Sequence, residues 1–194
     1  MVVLVVMAFN LIETTLTNAE RTFAVKNLNK TYDRFTSTLD GLSKEQLNYK
    51  IVEDSWSIAE CADHLAISEN SIFEMLTQTL NTEADSSRRA EVKMPDEQII
   101  AMIVDRSKKV KTSTAFEPSG KYGSFEETVE EFKSKRKEHI EYIKTTQDDL
   151  RNRYQQFPFG IIDAYQIVLF MSAHTERHVR QMEEIMEDPG FPKS

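Results

Sequence analysis

The sequence predicts an all-α protein, a four-helix bundle with a short extra helix and long loops. Three observations predict it. Gly and Pro are scarce, five of each in 194 residues, so the chain carries few of the residues that punctuate turns. Four long segments repeat their apolar residues at the helical period. Three segments open on Thr or Ser with Glu three positions later, the reciprocal capping pair that satisfies two free N–H groups at a helix start.

The elements follow in order. Residues 1–16 are expected as an N-terminal extension, apolar over residues 2–9. That run is too short to span a bilayer as a helix. It matches the apolar core of a signal peptide in length but has no basic segment before it. It is expected to be retained, or to reflect an early start site with Met7 as the real initiator, and the balance points to a cytoplasmic protein. Residues 17–194 are expected as one domain.

Thr17 and Glu20 cap a helix running to about residue 39, with Phe23, Leu28, Tyr32, Phe35 and Leu39 on its apolar face. Gly41 ends it, and residues 43–48 suit a short helical turn. Ser57 and Glu60 open a second long helix, to about residue 80, buried through Ile58, Ala62, Leu65, Ile72, Leu76 and Leu80. Trp56 precedes that cap and can fold back on it as a staple. Residues 81–95 read as a polar loop, 96–104 as the short extra helix, and 106–123 as a long loop. Ser124 and Glu127 open a third long helix, expected to reach about residue 156 through Phe125, Val129, Phe132, Ile140, Ile143 and Leu150. Residues 157–160, Phe-Pro-Phe-Gly, break the pattern. The fourth helix is expected over 161–187, stopped by Pro189 and Gly190.

The formal net charge of −8 argues against nucleic acid as a partner. The basic cluster at residues 133–137 is flanked by Glu130, Glu131 and Glu138 and reads as a solvated, salt-bridged helix face. The single cysteine, Cys61, allows no internal disulfide. It reads as a small apolar helix residue rather than a reactive thiol.

Four histidines carry the chemistry. His174 and His178 lie four apart on the last helix, about 40° apart around its axis and one turn above each other. Their stripe also holds Ile167, Met171, Met182 and Ile185, so it faces a core. An H-x-x-x-H pair is common by chance, and two hydrogen-bonded surface histidines are the plain alternative. Burial favours a metal, because buried polar groups need partners. Thr175 stands where zinc proteases with H-E-x-x-H carry their base. His64 sits at the edge of its own helix's apolar stripe. It joins the pair as a third ligand if the two helices pack together. His139, beside Arg136, Lys137 and Glu138, reads as an ordinary, partly exposed histidine.

The segments Ser55-Trp56-Ser57-Ile58-Ala59-Glu60, His64-Leu65 and the run from Ala173 through His174-Thr175-Glu176-Arg177-His178 to Gln181 resemble the signature of the DinB-like (YfiT-type) superfamily. The resemblance extends in outline from about residue 19 to the Phe-Pro-Lys tail at 191–193. It implies a bundle of up-down-down-up topology, usually a homodimer, and a divalent metal held by three histidines. Residue by residue these are His64, His174 and His178.

Three neutral imidazoles leave an ion its charge and open coordination positions, the arrangement of a catalytic rather than a structural site. Imidazole suits several metals, with zinc the first choice and nickel the second. Glu60 and Gln181 are candidates to orient the ligand rings. Family members with known activity are, by resemblance, transferases and isomerases using small thiols such as bacillithiol or mycothiol. The expectation is therefore a metal-dependent thiol S-transferase acting on an electrophilic substrate, with a hydrolase as a variant. The alternative is a non-catalytic metal- or small-ligand-binding dimer retained in a stress response. No catalytic base is identifiable from the sequence.

Overall fold

The structure is a computed structural model describing residues 15–108 and 110–193; the apolar run at 2–9 lies outside the described residues. Four long helices form the bundle: α1 (Asn18–Leu39), α3 (Ile58–Leu80), α5 (Phe125–Thr145) and α6 (Ala164–Met186). Two short ones, α2 (Lys44–Asn48) and α4 (Asp96–Val104), lie in the connections. The three expected capping boxes form, at Thr17–Glu20, Ser57–Glu60 and Ser124–Glu127. Gly41, at φ +72°, takes the left-handed conformation just past α1 that other residues resist.

Side-chain contacts fix the directions. Arg21, at the start of α1, donates to the carbonyls of Ile143 and Thr146 at the end of α5, so these helices are antiparallel. Tyr165 at the start of α6 donates to the Glu20 carbonyl, and Arg34 pairs with Glu183 further along, so α1 and α6 are parallel. His64 early in α3 meets His174 late in α6, an antiparallel pair. Glu69 meets Arg136 and Phe73 meets Tyr142, so α3 and α5 run together. The topology is up-down-down-up.

The third long helix was expected to reach residue 156, but α5 ends at Thr145. Beyond it the Thr146 hydroxyl donates to the Asp148 carboxylate and accepts from the Asp148 N–H, the local alternative that draws Thr and Asp out of helices. Leu150 still reaches the core from the following loop. Residues 154–163 are a hairpin, β1 (Tyr154–Phe157) and β2 (Gly160–Asp163), paired antiparallel from Tyr154↔Asp163 to Phe157↔Gly160. Gly160 closes it at φ +133°, open only to glycine. The last helix therefore starts at Ala164 rather than 161, capped by Asp163 with Gln166. The expected loops 81–95 and 106–123 carry single 3₁₀ turns, Ser86–Glu91 and Thr114–Phe116.

The core is in two parts. One apolar cluster holds Leu28, Ile72, Leu76, Ile140, Ile143 and Ile167. The other holds Phe35, Ile58, Leu65, Phe132, Val179 and Met182. Between them, every long helix contributes polar side chains at one level: Thr31, His64 to Glu69, Arg136 to His139, and Ser172 to His178. The clustered histidines and the buried Arg136–Glu69 pair lie in this waist.

Candidate metal centre

Packing of α3 against α6 brings His64, His174 and His178 together. One ring nitrogen from each lies within 4.8 Å of the others. Ring centroids are 4.4 to 5.0 Å apart. His64 and His178 are buried and His174 keeps some surface.

The outer hydrogen bonds assign the tautomers. His64 Nδ1–H donates to the Phe116 carbonyl at 2.6 Å. His178 Nδ1–H donates to Gln181 Oε1 at 3.0 Å. A carbonyl oxygen can only accept, so each ring carries its proton on Nδ1 and turns a bare Nε2 inward. His64 Nε2 and His174 Nε2 stand 3.2 Å apart. In a tetrahedral zinc site, bonds near 2.05 Å put two ligand nitrogens about 3.3 Å apart. The donor set and its spacing therefore fit one divalent ion.

Electrostatics favour the same form. Burial lowers the pKa of all three rings, His174 from 6.5 to about 3, because the interior solvates imidazolium poorly. Neighbouring rings and Arg177 lower His174 further, as neighbouring rings do His178. All three are neutral at pH 7, the state in which an imidazole can bind metal.

Of the two residues expected to orient the rings, Gln181 does so and Glu60 does not. Glu60 is committed to its capping box and to Lys50. The backbone carbonyl of Phe116 takes its place, and no residue type announces a carbonyl. Trp56, expected as a staple, lies with its ring 4.9 Å from that of His64 and 6.0 Å from that of His178. Cys61 is fully buried and its thiol is pushed up to about 12 by desolvation, so it is inert.

His139 is a correction. It is 4% exposed, stacked on Phe73 at 3.8 Å, with Nδ1 2.8 Å from Glu69. Arg136 corrects the solvated basic face in the same way: it is wholly buried. Its Nε and one Nη form a bidentate pair with Glu69 at 2.8 and 2.7 Å. Its remaining N–H groups reach the Leu28 carbonyl, Thr31 and Thr175. The residues between 132 and 143 that face the interior, Phe132, Arg136, His139, Ile140 and Ile143, recur at helical spacing. That signal was available in the sequence.

A cleft of about 330 Å³ opens onto His178, Trp56 and Gln181. Among the described residues four cations line it, Arg106, Lys108, Lys111 and Arg177, against two carboxylates, Asp54 and Glu117. The connection between α4 and α5 forms much of its wall. Arg177 donates to the carbonyls of Ile103, Asp105 and Lys108, and Arg106 holds both Glu184 and Gln181.

Known proteins share this architecture. The YfiT structure from Bacillus subtilis, described as a probable metal-dependent hydrolase with an unusual four-helix bundle topology, superposes with a TM-score of 0.61 over 92% of each chain at 12% identity. The uncharacterized protein YuaE of Bacillus subtilis (strain 168) is 29% identical over 150 residues, 77% of this chain and 88% of YuaE. The family pattern of the DinB superfamily matches residues 27–182. That match spans all three clustered histidines, and the chain belongs to the DinB superfamily.

Proposed function

We propose that the chain is a metal-dependent enzyme that holds one divalent ion, zinc or nickel, through His64, His174 and His178, and transfers a small thiol to an electrophilic substrate. The observation that carries this reading is three neutral, converging imidazoles, one of which, His178, lines an open cleft. Once bound, the ion supplies a Lewis acid that lowers the pKa of a coordinated thiol. His64 and His178 contribute bare Nε2 atoms fixed by Phe116 and Gln181. These ring partners are uncharged, so the ligand shell leaves the ion's charge intact. Trp56 gives the cleft an apolar wall and its cations suit an anionic thiol or substrate. The description of YfiT as a hydrolase favours a second reading, with water in place of the thiol; Glu117, in the same cleft, is then the candidate base. The working assembly is proposed to be a cytoplasmic homodimer.

The test is a reaction panel on zinc- and nickel-loaded protein, pairing small thiols with an alkylating electrophile and, separately, esters and amides without thiol. Thiol-dependent turnover that disappears in His174→Ala supports the transferase. Turnover only of esters or amides establishes the hydrolase. Tight ligand binding with no turnover leaves the non-catalytic reading.

A further inference from the structure

We propose that Asp63 is a positioning residue of the metal centre, acting by clamping the loop that orients His64. This rests on the metal-site reading above. Asp63 is 7% exposed and precedes His64 on α3. Its Oδ2 accepts from the backbone N–H of Ser119 at 2.6 Å and of Gly120 at 2.7 Å. Its Oδ1 is buried and has no hydrogen-bond partner. A buried carboxylate with no cation among the described residues paired to it and an orphaned oxygen costs stability, so its placement calls for a reason beyond folding.

The loop supplies one. Three residues before Ser119, the Phe116 carbonyl accepts the Nδ1–H of His64. Residues 63 and 64 thus hold one loop at two points, one carboxylate on two amides and one ring on a carbonyl. The connection between α4 and α5 has only the short turn Thr114–Phe116 to stiffen it over this stretch. Gly120 takes φ +65° there, a left-handed turn that residues with a side chain resist. Without the clamp, the Phe116 carbonyl is free to leave. His64 can then take its other tautomer, with the proton on Nε2 where the metal binds. Outer hydrogen bonds of this kind set ligand basicity and ring orientation, and their loss weakens metal affinity by about 10–100-fold.

Asp63→Asn and Asp63→Ala separate positioning from bulk. An asparagine oxygen can still accept from both amides; alanine cannot. In the metal-free protein, nitrogen chemical shifts of His64 should report a single Nδ1–H tautomer in the wild type and in Asp63→Asn, and a mixture in Asp63→Ala. Zinc affinity by chelator competition should fall about 10–100-fold in Asp63→Ala and much less in Asp63→Asn. Cobalt spectra should change shape in the alanine variant alone. If Asp63→Ala keeps the wild-type tautomer and affinity, the inference is wrong. Amide hydrogen exchange on the wild type needs no variant: protected Ser119 and Gly120 amides are expected, and exchange at free-peptide rates overturns the clamp even if the alanine variant fails to fold. A wild type that binds no metal sinks the metal site, while the tautomer readout still tests Asp63.

Discussion

The waist of the bundle holds two buried histidine clusters built on opposite rules. Around His139, charge is answered by charge. Glu69 faces Arg136 and His139, and all five N–H groups of Arg136 have acceptors. Around His64, His174 and His178, three rings meet, His64 and His178 turning bare nitrogens inward, with no carboxylate among the described residues of the group. A saturated polar network locks helices in register. An unsaturated one costs stability unless something fills it. The same residue type is a strut in one place and a proposed ligand in the other, and its hydrogen-bond partners separate the two.

Breaking the saturated cluster should have the largest effect. Arg136→Met leaves Glu69 buried without its counter-ion, which costs about 3–5 kcal/mol. Urea denaturation should show a loss of that order, and a loss under about 1 kcal/mol would mean that water reaches Glu69.

The clusters should also separate along the pH axis. In the unfolded chain histidine takes a proton near 6.5, while in the fold His174 resists until about 3 and the other two rings also bind protons less readily. The unfolded state then holds more protons below 6.5, so metal-free stability falls as pH drops from there towards 3. Glu69 stays ionised in the fold down to about 2, with Arg136 and His139 outweighing the cost of burial, against 4.5 when unfolded. Its stabilisation is present above 4.5 and is lost between 4.5 and 2, on the order of 3 kcal/mol in all. Stability against pH should show both declines in the wild type. The His174→Ala, His178→Ala double variant should lose most of the upper one, keeping the share of His64, and keep the lower. An unchanged upper decline would place the titration elsewhere.

The sequence carried the long helices because each capping box is local, a hydroxyl and a Glu three residues apart. It also carried the cap of α6, Asp163 with Gln166, which the expected start at 161 passed over. The hairpin was hidden because its strands are four residues long and flank a turn that reads simply as a breaker. The clustering of the three histidines was legible because two members are one helical turn apart and the third falls in the signature that resembles the family. His139 was misread from its charged sequence neighbours: Lys137 and Glu138 point away from it around the helix, while Arg136 shares its buried face, and its partner Glu69 is seventy residues distant in sequence. The Phe116 carbonyl and the amides of Ser119 and Gly120 are backbone groups, and only the folded loop reveals them.

The most direct measurement is metal content beside folding stability in four single variants, His64→Ala, His174→Ala, His178→Ala and His139→Ala, after one common dialysis. About one divalent ion per chain is expected in the wild type. The first three variants should lose it while their metal-free stability stays within about 1 kcal/mol of wild type, since no hydrogen-bonded charge is disturbed. His139→Ala should keep the ion and lose about 1–3 kcal/mol, through the stack on Phe73 and the bond to Glu69. Full metal in His64→Ala, or loss of metal confined to His139→Ala, would contradict the division of the waist into a ligand cluster and a structural one.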